Sequence, residues 1–525
     1  MTPTTFNATD YLLDRHVREG HGDRTAVLCA GGSLTYRELA AEARRVAAGF
    51  RALGVRPEER VMLCMADGVE LLTGILGAMY LGAVPVPVST MVTGAELAAV
   101  LADSRARVLC VSTEFDGAAG VALASAPEVT HVLTDGETDL PGTPWSRLHA
   151  HGSLDEPYPT WPDSPAFWLY TSGTTGKPKG AMHRHGSVRD VAELYGRGVL
   201  GVEPGDRTLS VPKLFFAYGL GNSAFFPLSA GATTVLERAR PTPAVVAERV
   251  RATRPTLFFG VPTFYSALLN SDIPDDTFAS VRQGVSAGEP LPPVLFSRFR
   301  ERFGVEVLDG LGSTEALHIF LSNRPGAARP GSSGVPVDGY RVELRDETGA
   351  PITASGVPGD LFLSGPSVAT GYWCRTETTR AVFQGEWLRT GDTYVRNEDG
   401  TYTCLGRSND MLKAGGIWVS PTEVEERLLE HPDVAEAAVV AGRDTDGLDK
   451  PVACVVAAPG HTLDAAALVR WCRAGLAAYK RPRAVVGMGE LPKTATGKIR
   501  RNVLRELVAE ELITRPTTPE ETVLT

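Results

Sequence analysis

The sequence predicts an α/β fold: a large N-terminal domain of mixed, largely parallel α/β sheets plus a small β subdomain, followed by a small α+β C-terminal domain. Three observations carry this. Short apolar runs alternate with helix-like stretches from about residue 60 to residue 308, the rhythm of βα units feeding parallel sheet. From 332 the texture changes to Gly/Pro-punctuated, β-like segments. Beyond Arg407 a further compact unit of mixed helix and strand pattern follows. The expected division is 1–408 for the N-terminal domain, with 332–408 as its β-rich subdomain, and 409–525 for the C-terminal domain.

In chain order, residues 11–54 read as two helices. The second opens at Thr35, a capping hydroxyl with Glu38 three residues on, and carries apolar positions at helical spacing through Leu53. Apolar runs at 60–65, 84–88, 107–111 and 131–134 are the first strands, and 208–211, 233–236, 256–260, 281–285 and 305–308 the second set. The β subdomain includes 341–345, 359–363 and 401–405. The last unit reads as a helix over 422–430, strands over 434–441 and 452–457, a helix over 464–478 and a strand over 484–487. Residues 514–525 are rich in Thr, Pro and Glu and are expected to be unordered.

A chain of 525 residues exceeds what one core holds, so several structural units are required. A net charge of -10 provides no basic surplus for a nucleic-acid backbone, and no nucleic-acid partner is expected. The seven cysteines form no C-x-x-C pair and, being odd in number, cannot close a full disulfide framework, which fits a reducing cytoplasm. Residues 1–10 lack the basic and apolar regions of a signal peptide. The most apolar run, 71–84, is too short to span a bilayer and is interrupted by glycines, so no membrane partner is expected. Monomer and homodimer both remain open.

The stretch that organises the chain follows the apolar run 166–170: Thr171-Ser172-Gly173-Thr174-Thr175-Gly176-Lys177-Pro178-Lys179-Gly180. Glycines let successive backbone N–H groups face one anion, hydroxyls add donors, and lysine supplies charge for a polyphosphate. The spacing excludes a Walker A loop, which needs four residues between its glycines and then Lys and Ser/Thr. A plain Gly/Ser/Thr linker would carry no particular order.

The ten residues resemble the phosphate-binding signature of the acyl-adenylating superfamily, which comprises AMP-forming acyl-CoA synthetases, luciferases and adenylation domains. The resemblance implies ATP-driven activation of a carboxylic acid, with Mg²⁺ as cofactor, and a mobile C-terminal domain. It extends through further motifs in the family's order. Asp309-Gly310-Leu311-Gly312-Ser313-Thr314-Glu315 follows an apolar strand and resembles the aromatic-x-x-Thr-Glu motif. Thr314 and Glu315 would then face the α-phosphate and the metal, and Asp309 and Gly310 the adenine; Leu311 and Gly312 replace the usual central aromatic. Ser286-Ala287-Gly288-Glu289-Pro290 resembles the adenine-lining segment, contributing Gly288, Glu289 and Pro290. Asp392 of Thr390-Gly391-Asp392 matches the ribose-binding aspartate, and Arg407 a second ribose or phosphate contact. Pro492 to Arg501 matches the closing motif, with Lys498 as the adenylation lysine. Asn409 falls at the hinge, and Gly415 and Gly416 would line the thiol channel.

Within the superfamily, 213–222 and 313–320 look like benzoate-CoA ligases. By that likeness Phe216, Ala217, Tyr218, Gly312, His318 and Ile319 line the acid pocket. Ala217 stands where enzymes for 2-hydroxylated benzoates place Asn, so salicylate is expected to be disfavoured against benzoate. Phe216 and His318 could equally be core residues. His183 and His185 lack a third ligand at suitable spacing and are expected in helix-start or loop roles. The expected reaction is conversion of benzoate or a simple substituted benzoate to the aryl-adenylate and then to a thioester of coenzyme A. The alternative acceptor is the phosphopantetheine arm of an acyl carrier protein. An ATP-binding module without catalysis is disfavoured by Glu315 and Lys498, and nothing points to a luciferase-like oxidase.

Overall fold

The computed structural model describes residues 4–172, 178–408, 412–414, 417–443, 449–477, 480–493, 499–514 and 523–524. Two sheets dominate the first 330 residues. A nine-stranded sheet runs in the order Val335–Pro336, Ile319–Ser322, Val307–Gly312, Gln283–Ser286, Leu257–Gly260, Arg207–Ser210, Thr233–Val235, Thr25–Cys29 and Gly32–Thr35. Its six central strands are parallel, and only the outer pairings are antiparallel. A five-stranded, all-parallel sheet follows the order Val84–Pro87, Arg60–Cys64, Val108–Ser112, His131–Asp135, Thr143–Pro144. Strands covered on both faces by helices must be apolar throughout, which is why these runs are visible in the sequence.

The helix Tyr36–Ala52 starts as expected, with Thr35 accepting from the Glu38 N–H and the Glu38 side chain accepting from the Thr35 N–H. The stretch before it departs from expectation. Instead of two helices alone, the strands Thr25–Cys29 and Gly32–Thr35 intervene between them, because Val27 and Leu28 pair with Thr234 and Val235 far along the chain. Among the described residues no helix is long and apolar enough to cross a membrane. Cys29, Cys64, Cys110, Cys374, Cys404 and Cys472 are free thiols.

The hairpin Pro165–Ser172 and Pro178–Arg184 presents the phosphate-type loop at its turn. Arg341–Arg345, Pro358–Ser364, Trp387–Arg396, Phe383–Gln384 and Tyr402–Arg407 form the β subdomain. The C-terminal unit has the helices Pro421–Leu429 and Ala465–Gly475 on a sheet ordered Val434–Arg443, Asp449–Ala457, Ala484–Met488, Val523–Leu524. The last of these pairs in parallel with Ala484–Met488, inside the tail whose composition predicts no order.

Candidate active site

Ligands of α/β sheets bind at the carboxyl ends of parallel strands, and Ser286 ends one such strand opposite Asp309 of the next. Of the phosphate-type loop, Thr171 and Ser172 end one strand; Gly173, Thr174, Thr175, Gly176 and Lys177 lie outside the described residues. The second strand of the hairpin pairs with the segment 370–373, through Met182 N–H to Gly371 O at 3.0 Å and Trp373 N–H to Gly180 O at 2.9 Å. This pairing delivers Tyr372, a residue the motifs do not reveal. Its hydroxyl donates to Glu315 Oε1 at 2.6 Å, and Lys179 Nζ lies 4.8 Å from its ring centroid. Burial and the adjacent Glu315 carboxylate raise the Tyr372 phenol, so it stays a donor.

Glu315 is therefore held in place with one oxygen engaged, on a chain whose other contacts are equally defined. The Ala369 N–H donates to Glu315 O at 2.8 Å, and His183 Nε2 lies 2.9 Å from Thr314 O. Burial lowers His183 to about 4, so the neutral ring donates its Nε2 proton to that carbonyl. His185 begins the helix His185–Val191, a helix start as expected, whereas His183 lies within the strand Pro178–Arg184 rather than in a loop, because it pairs with Phe167. Among the described residues no group of three metal-ligating side chains occurs. One oriented carboxylate beside a phosphate-type loop nonetheless suits Mg²⁺, which takes one or two carboxylates together with substrate phosphates.

On the nucleotide side, Asp309 is part of the strand Val307–Gly312 rather than beyond its end. The strand runs on because the chain folds back onto it, Gly310 opposite Ser322 and Gly312 opposite Ile319. Glycine is required there: a Cβ at 312 would stand 2.7 Å from the His318 carbonyl oxygen. The departure from the family's aromatic thus accompanies a close backbone approach. Asp309 Oδ1 and Ser286 Oγ, on neighbouring parallel strands, are buried and have no hydrogen-bond partner. Two unpartnered oxygens, with Gly288, Glu289 and Pro290 in the loop just after Ser286, fit a base that brings amino donors. Desolvation raises the Asp309 carboxyl well above the usual range, against backbone N–H groups of Leu291 and Gly310 that favour its charge. Asp392 stands opposite Arg407 across two strands, with Arg407 Nε 3.1 Å from Asp392 Oδ1.

The acid-pocket residues come together on two segments. Phe216, Ala217 and Tyr218 are partly exposed, whereas His318 and Ile319 are buried. His318 is enclosed by the rings of Tyr195, Tyr218 and Phe226, and its Nε2 lies 3.1 Å from Asn222 Oδ1 and 3.3 Å from Tyr218 O. Burial lowers it to about 3, so it is neutral, with a buried Nδ1 that has no partner. Tyr218 OH donates to Val285 O at 3.1 Å. Asn222, within a motif but not singled out by it, in turn donates to Ser210 Oγ at 3.3 Å, which donates to Pro212 O at 2.9 Å. The loop bearing the pocket is thereby tied at several points. Asn409, Gly415, Gly416 and Lys498 lie outside the described residues.

Comparison with known proteins agrees with this layout. The AMP-binding enzyme family model matches residues 13–373, and the AMP-binding enzyme C-terminal domain model matches 423–498. The chain is 47% identical over 509 residues to a benzoate–CoA ligase of Thauera aromatica, covering 96% of each chain. It is 41% identical over 530 residues to a 4-hydroxybenzoate–CoA/benzoate–CoA ligase of Rhodopseudomonas palustris, covering 99% of this chain and 97% of that one. Among solved structures, a benzoate CoA ligase from Burkholderia xenovorans LB400 superposes with a TM-score of 0.90 at 44% identity, covering 95% of this chain and 100% of that one. An anthranilate CoA ligase in complex with anthranoyl-AMP gives 0.93 at 39%, covering 98% of each. With both its domains matched by the family models and relatives aligned from end to end, the chain belongs to the AMP-binding enzyme family.

Proposed function

We propose that the protein is an AMP-forming ligase that converts benzoate or a simple substituted benzoate to the aryl-adenylate and then to aryl-CoA. The observation that carries this reading is the continuity of one short segment. Residues 309–319 hold Asp309 beside the unpartnered Ser286 oxygen, Glu315 on the Tyr372 hydroxyl, and His318 against Tyr218, so the residues assigned to nucleotide and acid share one short piece of backbone. The aryl-CoA ligases aligned over the full chain support the substrate class and coenzyme A as acceptor.

In the first half-reaction a carboxylate oxygen of the acid attacks the α-phosphorus of ATP, and the bond to the pyrophosphate oxygen breaks. The loop 171–177 cradles the phosphates, Asp309 and 288–290 receive the base, and Asp392 accepts from the ribose hydroxyls beside Arg407. Tyr372 holds Glu315 ready for Mg²⁺, which when bound neutralises developing phosphate charge. Lys498 supplies a mobile cation to the acid carboxylate and α-phosphate, and Thr314 faces the same centre. Phe216, Ala217, Tyr218, Gly312 and Ile319 enclose the ring. In the second half-reaction the thiol sulfur attacks the acyl carbon and AMP departs. Here the C-terminal domain, 409–525, swings about Asn409 and presents Gly415 and Gly416 to the pantetheine arm.

The test is acid-dependent ATP–pyrophosphate exchange, followed by thioester formation with CoA, across benzoate, 3-hydroxybenzoate, salicylate and a medium-chain fatty acid. Benzoate is expected to lead, with salicylate lower in kcat/KM by roughly tenfold to hundredfold because Ala217 offers its hydroxyl no partner. Preference for the fatty acid or salicylate would overturn the pocket assignment, and exchange without CoA thioester the acceptor.

A further inference from the structure

The loop that carries Phe216, Ala217 and Tyr218 leaves the nine-stranded sheet after Arg207–Ser210, yet one of its backbone groups is satisfied from the other sheet. Asp67 follows the strand Arg60–Cys64 of the five-stranded sheet and is 5% exposed. Its carboxylate receives the Leu214 N–H on both oxygens, at 3.1 and 3.3 Å, across 147 positions of sequence. Leu214 is fully buried, so without Asp67 that N–H loses the one partner the structure gives it.

The neighbouring contacts show that this bond sets the loop's position. Lys213 Nζ reaches the Glu237 and Ala239 carbonyls, fixing the residue before. The Phe216 N–H bonds to Lys213 O at 3.0 Å, and the chain then turns so tightly that a Cβ on Gly219 would stand 2.0 Å from that oxygen. Phe216 caps the helix Ala217–Leu220, so a displacement at Leu214 passes through this closely wound turn to Phe216, Ala217 and Tyr218. The surroundings of Asp67 do not suggest a group retained for stability. Burial is the largest influence on it and raises its carboxyl to about 6, against the favourable Lys213 charge and the Leu214 N–H.

We propose that Asp67 is a positioning residue for the acid pocket, a hook on one sheet that fixes the substrate loop of the other. The proposal rests on the aryl-acid reading of that loop. Asp67 bonds the backbone of the substrate loop and none of the residues assigned to the nucleotide, so its loss should act on acid binding alone.

The experiment measures KM for benzoate and for ATP, together with thermal melting, in wild type, Asp67→Ala, Asp67→Asn and Asp67→Glu. Asp67→Ala is expected to raise benzoate KM roughly tenfold to hundredfold while ATP KM stays within about threefold, the scale of one orphaned buried N–H. Asp67→Asn keeps an acceptor oxygen and should restore benzoate KM to within about threefold of wild type. If Asp67→Ala does not fold, Asp67→Glu carries the test, because its longer arm keeps the charge but moves the acceptor. A rise confined to benzoate KM supports the proposal. Unchanged benzoate KM, an equal rise in both constants, or no restoration by Asp67→Asn overturns it. A wild-type enzyme inactive on benzoate would instead overturn the substrate assignment.

Discussion

Tyr372 meets two opposite charges with one side chain, its ring beside Lys179 and its hydroxyl on Glu315. A phenol that stays protonated can only donate to the carboxylate, so it fixes which Glu315 oxygen remains available. Partners of this kind behind a metal-binding carboxylate change affinity by about 10–100-fold when removed. Tyr372→Phe is therefore expected to raise the Mg²⁺ concentration for half-maximal pyrophosphate exchange by that factor, with benzoate KM little changed. A Mg²⁺ titration that superposes on wild type would show that Glu315 does not depend on Tyr372. None of this was legible in the sequence, because Tyr372 is placed by a bridge to Ala181, nearly two hundred positions upstream. Asp67 and Asn222 escaped for the same reason: their partners Leu214 and His318 lie 147 and 96 positions away. Glu315 and Asp392 could be singled out in the sequence because their motifs are local and ordered along the chain.

At the level of elements, the neck on either side of 494–498, the segment of the proposed adenylation lysine Lys498, is closed by a bridge between Lys493 and Ile499 and by the Arg500 N–H on Pro492 O at 2.7 Å. Arg501 Nη2 then reaches Glu425 Oε1 at 2.5 Å, and that oxygen also takes the Val439 N–H at 2.7 Å. Glu425 thus joins the helix Pro421–Leu429, a strand and the neck. Glu425→Ala is expected to destabilise the C-terminal domain by about 1–3 kcal/mol through the orphaned Val439 N–H. Pyrophosphate exchange should fall with it, because the neck flanking the proposed lysine Lys498 loses an anchor. Denaturant melts followed at Trp471 check the first part, and an unaltered midpoint would refute it. Elements themselves were readable where burial on both faces forces an apolar run, as in 257–260 or 108–112. They were not where a remote strand decides. Gly310 to Gly312 reads as a loop from its glycines and becomes strand because 319–322 folds onto it, while Asp309 is strand through its pairing with Ser286.

Over the whole molecule, the C-terminal unit rests on the β subdomain through the helix Pro421–Leu429. Ser420 Oγ donates to Leu405 O at 2.6 Å, and the helix lies close enough to Asp309 for Glu426 to raise that carboxyl. Burial, with Glu423, Glu425 and Glu430 nearby, raises Glu426 itself to about 7. The nearby cations are already engaged: Lys480 with Glu423, Arg501 with Glu425 and Arg427 with Glu430. A carboxyl raised in this arrangement favours it while protonated, and the benefit fades as pH climbs from the ordinary carboxylate range through about 7. Hydrogen exchange across 420–429 should thus quicken between pH 6 and pH 8 once intrinsic rates are divided out. Glu426→Gln should flatten that dependence, and a wild type with no such change would refute it. The return of 319–322 onto 310–312 has a consequence for how the substrate range can evolve. One side of the proposed acid pocket is main chain, where every substitution at Gly312 adds a Cβ against a carbonyl and none enlarges the cavity. The other side is made of replaceable side chains, Phe216 and the start of the helix Ala217–Leu220. Laboratory selection for bulkier ring substituents should accumulate changes at Phe216, Ala217 and Tyr218, and should leave position 312 as glycine in every surviving lineage.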